Sequence, residues 1–134
     1  MKLHFTAGAA LMLLMASCAS APIPDYSLTP PAPGPDIYRC GNDEDRAMFV
    51  LVKPGTRQSW KGDHWGENAC ADPANRCKAE DGFVVVETTS YLPTSRDRVD
   101  TIDIYNLEAG TVLTTFAFKG IPLKPTRRAC KPHS

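Results

Sequence analysis

Val99–Lys119 reads VDTIDIYNLEAGTVLTTFAFK. Two runs rich in β-branched and aromatic residues, Val99–Leu107 and Thr111–Lys119, flank a short connection ending in Gly110, a residue able to take the positive φ of a tight turn. The segment is expected to be an antiparallel hairpin. Working outward, Gly82–Leu92 (GFVVVETTSYL) begins as a continuous apolar run and then alternates into Glu87, Thr88, Thr89 and Ser90, while Ala47–Lys53 (AMFVLVK) is a short run of the buried-strand type. No window carries a sustained 3.6-residue apolar stripe with a cap. The expected fold is all-β: a small antiparallel sheet, sandwich or barrel stapled by disulfides.

The Val99–Lys119 unit resembles a hairpin of a β-propeller blade. A propeller needs at least four blades and the chain has no second copy, so the resemblance implies an antiparallel hairpin alone. Arg96, Asp97, Arg98, Asp100 and Asp103 alternate in sign at its entry. That pattern reads as a solvated edge that discourages aggregation between sheets.

The chain has 134 residues, with 15 Lys+Arg against 15 Asp+Glu. This length suggests one domain, and the balanced charge argues against a disordered chain or one that coats nucleic acid by bulk charge. No nucleic-acid partner is expected. At the start, Lys2 precedes Phe5–Met15 (FTAGAALMLLM), an uncharged run whose helical length of about 16 Å is half of a ~30 Å hydrocarbon core. It reads as a signal-peptide core rather than a membrane span.

The run closes on Leu14-Met15-Ala16-Ser17-Cys18, which resembles the lipobox of bacterial lipoproteins, with Met15 where that family usually has Leu. The resemblance implies a signal peptide over residues 1–17, cleavage before Cys18, and acyl chains such as palmitate on Cys18. Ala19, a residue other than Asp, implies forwarding to the outer membrane, and several chains make a stable anchor where one does not. Residues 18–35 then form a Pro-rich linker: the stretch ASAPIPDYSLTPPAPGP (19–35) suits an extended spacer of about 3.1 Å per residue that cannot pair into a sheet. The small β domain is expected over residues 36–134.

If Cys18 carries lipid, Cys40, Cys70, Cys77 and Cys130 remain, an even set in an exported protein. Three pairings are possible. The ADPANR loop between Cys70 and Cys77 contains Pro73 and Asn75 and makes a local bridge easy to close; Cys40 and Cys130 would then tie the first strand to the C-terminal segment. A metal site from His64, Cys70, Cys77 and His133 is the competing use of these residues, but H-x5-C-x6-C lacks the close cysteine spacing of zinc turns. Disulfides are the expected outcome, with no metal and no cofactor.

G-x-S-x-G, H-E-x-x-H, P-loop and dinucleotide fingerprints are all missing from the sequence, and the two histidines after the leader, His64 and His133, lie in a turn-rich loop and beside Ser134. No catalytic residue is assigned and an enzyme is not expected. The candidate binding loop is Gln58–Cys70 (QSWKGDHWGENAC), where Trp60, His64 and Trp65 stand among glycines and polar residues able to stack on and hydrogen-bond to sugars or a partner surface. The plainer reading has both indoles folded inward as plugs over the sheet. After Glu108 the chain is free of acids, while Lys119, Lys124, Arg127, Arg128 and Lys131 are basic. These residues read as a solvated tail held by Cys130, or as a surface for lipopolysaccharide, peptidoglycan acids or an acidic partner.

Together these features describe a lipid-anchored cell-envelope protein on the periplasmic face of the outer membrane, with a non-catalytic binding or structural role. Its partners would be the membrane, through its lipid, and an envelope protein, peptidoglycan or lipopolysaccharide. The alternative is a periplasmic inhibitor of a lysozyme-like hydrolase. Ile37-Tyr38-Arg39-Cys40, the late Cys130 and the expected β core are similar to membrane-bound inhibitors of C-type lysozyme, small lipoproteins with a β-barrel fold. Thr88–Ser90 (TTS) lacks the glycine that follows in that family's inhibitory segment.

Overall fold

A computed structural model describes residues 29–42 and 47–134. Among these, nine strands form one antiparallel sheet: β1 (Ile37–Cys40), β2 (Met48–Lys53), β3 (Thr56–Ser59), β4 (Arg76–Glu80), β5 (Phe83–Tyr91), β6 (Arg98–Asn106), β7 (Thr111–Phe118), β8 (Ile121–Pro122) and β9 (Thr126–Pro132). Their spatial order is β3-β2-β1-β9-β7-β6-β5-β4, with β8 on the distal half of β7. The sheet curls into a nearly closed barrel. The all-β expectation holds, in its barrel form.

The hairpin read from Val99–Lys119 is β6–β7, registered from Val99↔Phe118 to Asn106↔Thr111. Its turn closes as Gly110 N–H donates to the Asn106 carbonyl, with Gly110 at φ 69°. The Asn106 side chain accepts from Ala109 N–H, so the turn is held from within. Between β4 and β5, Asp81 and Gly82 both take positive φ, as a two-residue hairpin turn of the kind favoured by right-handed strand twist requires.

Side chains alternate across the strands, and one face of each lines the barrel interior. Val50, Val52, Val84, Val86, Tyr105 and Val112 are buried there with Cys40 and Cys130. Each enclosed valine contributes about 1.5–3 kcal/mol by leaving water. Cys40 and Cys130 face each other directly in the β1–β9 register and are bonded, so the first and last strands are joined at the centre of the sheet. The second bridge, Cys70–Cys77, ties a short 3-10 turn (Ala69–Ala71) to β4. The structure thereby selects one pairing of the three that the sequence allows.

Two readings change. Thr126–Pro132 is no solvated tail: it is β9, paired with β1 on one side and β7 on the other. Its signal was hidden because positive charges alternate with inward residues, Arg128 itself lying on the interior face opposite Val112. The charge alternation over residues 96–103 is not an edge, because β6 is flanked on both sides by β5 and β7. Arg98 and Asp100 do form an exposed pair at 2.9 Å, whereas Asp103 turns inward and is buried, because inward and outward positions alternate through Asp103 and Tyr105.

Finally, residues 29–35, at the end of the proline linker, are seated on the barrel. Pro31 is buried, its carbonyl lies 2.9 Å from His133 Nε2, and Gly34 N–H donates to the His133 carbonyl. The lipobox, Cys18 and the acidic run Asp43-Glu44-Asp45 lie outside the described residues.

Candidate functional site

The barrel's two open edges are β3 and β4, and the chain between them, residues 60–75, spans the gap. Unpaired edge groups invite association with other strands, so where their hydrogen bonds go decides what this side of the molecule presents. Asn68 answers for β3: its Oδ1 accepts from Arg57 N–H and Cys70 N–H, and its Nδ2 donates to the Gly55 carbonyl. Asn75 does the same beyond β4, accepting from Thr89 N–H and donating to the Ala69 carbonyl. With the Cys70–Cys77 bridge, these two amides fix the loop rigidly across the edges.

On that base stands the tryptophan hairpin. Trp60 and Trp65 form an isolated antiparallel bridge, closed by Lys61 N–H to the His64 carbonyl and Gly66 N–H to the Ser59 carbonyl. Their rings meet edge to face with centroids 5.1 Å apart, a favoured aromatic geometry. Both indoles are half-buried, and Trp60 Nε1 donates to the Thr29 carbonyl at 2.7 Å. The hairpin is thus the seat of the linker's last residues. At its tip His64 and Asp63 are exposed and in contact through Nδ1 and a carboxylate oxygen.

Beside the hairpin lies a groove of about 340 Å³ lined by Arg57, Ser59, Lys61, Gly66, Glu67 and Ala69. A Cβ at Gly66 would come within 3.2 Å of the Ser59 carbonyl and would push the flexible end of Lys61 aside. Arg57 Nε is buried with no hydrogen-bond partner among the described residues. A groove offering a guanidinium, an ammonium, a hydroxyl and a carboxylate can hold a polar or anionic group by charge-assisted hydrogen bonds. The sequence singled out Trp60, His64 and Trp65, with Asn68 among the polar residues beside them; Arg57 and Lys61, which line the groove, were missed because nothing in their spacing marks them.

The barrel interior carries a polar layer that sequence reading also missed. Thr114 Oγ1 donates to Asp103 Oδ1 at 2.7 Å, and Arg128 Nη2 donates to Thr114 Oγ1 at 3.1 Å. Below it, burial and the nearby Asp103 carboxylate push the Tyr105 hydroxyl up to about 12, against the pull of Arg57 and Arg128. Outside the barrel, hydrogen bonds from Arg98 and Thr89 hold the Asp100 carboxyl below its ordinary range.

The metal alternative loses its sulfurs, because Cys70 and Cys77 are bonded to each other; His133 is placed against Pro31 and 4.8 Å from the Phe49 ring. Among the described residues no cluster of His, Cys, Asp and Glu could hold a metal ion, and no helix is long and apolar enough to cross a membrane. Comparison with protein-family models, curated proteins and solved structures finds no match to this chain.

Proposed function

We propose that this protein is a lipid-anchored, non-catalytic binding protein of the bacterial cell envelope, held by acyl chains on Cys18 at the periplasmic face of the outer membrane. The observation that carries the reading is the run Leu14-Met15-Ala16-Ser17-Cys18, followed by a domain whose four remaining cysteines are all paired. Paired cysteines suit an exported domain, since reducing compartments keep thiols free. The groove beside the tryptophan hairpin is the binding site in this reading, with Arg57 and Lys61 meeting an anionic or hydroxyl-rich group of an envelope component.

The test combines two measurements in cells. Labelled palmitate should enter the wild-type protein and be lost in Cys18→Ala, with the label fractionating with the outer membrane. A photocrosslinker at Glu67 should capture one envelope component, and Arg57→Gln should abolish that capture. Equal labelling of wild type and Cys18→Ala would refute the anchor. Capture unaffected by Arg57→Gln would refute the groove. Inhibition of a C-type lysozyme by the purified protein would replace the binding role with the inhibitor alternative.

A further inference from the structure

We infer that the distal end of the β5–β8 sheet docks on an anionic phospholipid surface through an apolar face rimmed by cations. The inference rests on the lipid-anchor reading for its proximity to a membrane. Its geometry comes from the sheet.

Along β7 the inward positions are Val112, Thr114, Phe116 and Phe118, and β9 accompanies this strand only from Thr111 to Thr114. Beyond the polar layer of Asp103, Thr114 and Arg128, the inward face therefore continues past the strand that covers it. Register places Ile121 opposite Phe118, and Leu123 N–H donates to the Phe116 carbonyl at 2.7 Å, so both lie level with the phenylalanines. Phe116, Phe118, Ile121 and Leu123 are 42%, 37%, 66% and 53% exposed. Four large apolar side chains together on one exposed sheet end form a contact surface rather than scattered surface residues.

Charge selects the occupant. The acids of this end are already engaged, Asp97 with Lys119 at 3.4 Å and Asp100 with Arg98. Arg96, in the turn between β5 and β6, and Lys124, next to Leu123, are exposed and form no ion pair among the described residues, and the chain holds no acid after Glu108. A second copy stacked on this face by a twofold axis would set these cations against themselves. An anionic leaflet satisfies both parts of the surface, taking the apolar side chains at its interface and the cations at its phosphates.

Hydrogen exchange read by mass spectrometry on the intact mature protein tests this, with the protein in vesicles of equal parts phosphatidylglycerol and phosphatidylcholine, in phosphatidylcholine alone, and in detergent. Amides of residues 115–124 should exchange about tenfold or more slowly in the anionic vesicles, the scale expected when two cations sit at an anionic surface. Phe118→Asp/Ile121→Asp should abolish that protection while leaving exchange of the buried β5 and β6 amides unchanged, which marks an intact fold. Arg96→Glu/Lys124→Glu should act likewise without touching the apolar residues. A protein held on both vesicle types with identical exchange at 115–124 would overturn the docking and leave the anchor standing. An unacylated protein that ignores neutral vesicles yet gains protection at 115–124 on anionic ones would keep the docking and remove the anchor. Protection that rises with protein concentration in detergent would overturn the docking in favour of a second copy.

Discussion

Breaking Cys40–Cys130 should cost far more stability than breaking Cys70–Cys77. The two bridges enclose loops of very different length, with sequence separations of 90 and 7. On the chain-entropy model the longer loop is worth about 4.6 kcal/mol and the shorter about 2.5 kcal/mol. The difference of about 2 kcal/mol is large against the ~5–15 kcal/mol total of an ordinary domain. Topology points the same way, because Cys40–Cys130 sits on the seam between β1 and β9, where the first three strands join the rest of the sheet. To isolate each bridge without changing buried volume, the Cys70→Ala/Cys77→Ala chain is unfolded in urea with and without reductant, and the reciprocal Cys40→Ala/Cys130→Ala chain likewise. Fluorescence of Trp60 and Trp65 reports the transition. With a urea dependence of about 1–3 kcal/mol/M, reducing Cys40–Cys130 should lower the midpoint by about 1.5–4.5 M. The reasoning fails if reducing Cys70–Cys77 lowers the midpoint as much or more, since neither loop length nor seam position would then govern stability.

Other perturbations read other parts of the molecule. Tyr105 is raised to about 12 by burial, so its contribution is intact below the unfolded value near 10 and is lost as pH climbs from 10 through 12, roughly 3 kcal/mol in all. Tyr105→Phe should move the alkaline unfolding midpoint to higher pH, and an unshifted midpoint would contradict this. Asp100 is depressed, so its contribution is present above the ordinary carboxylate value and fades as pH falls through the folded one. In Thr89→Val its NMR titration midpoint should rise, as one of its two hydrogen-bond donors is gone. Trp60→Phe removes the donor to the Thr29 carbonyl, and proteolysis within residues 29–35 should become several-fold faster while the barrel core stays protected.

The strands that could be read were those whose side chains pack at high density: the apolar runs of β2, β5, β6 and β7 were found to within about two residues at either end. β3 (TRQS), β4 (RCKAE) and β9 (TRRACKP) were not, because each is defined by pairing with a neighbour rather than by its own composition. Half of their residues face solvent and the inward half includes Arg57 and Arg128, so no alternation of apolar and polar residues marks them. The same reason concealed the polar layer, since Asp103, Thr114 and Arg128 are brought together by register across three strands. For the candidate loop, the two tryptophans were visible as aromatics among glycines. The hold of Trp60 on Thr29 was not, because it joins positions 31 residues apart.

The central claim, an acyl-anchored domain closed by two disulfides, is tested most directly by mass spectrometry of the mature protein taken from cell envelopes without reduction. The account predicts an N-terminal peptide that begins at Cys18 and carries the mass of acyl chains, together with Cys40–Cys130 and Cys70–Cys77 peptide pairs. An unmodified N-terminal peptide that begins elsewhere, or cysteines 40, 70, 77 and 130 recovered as free thiols, would contradict it.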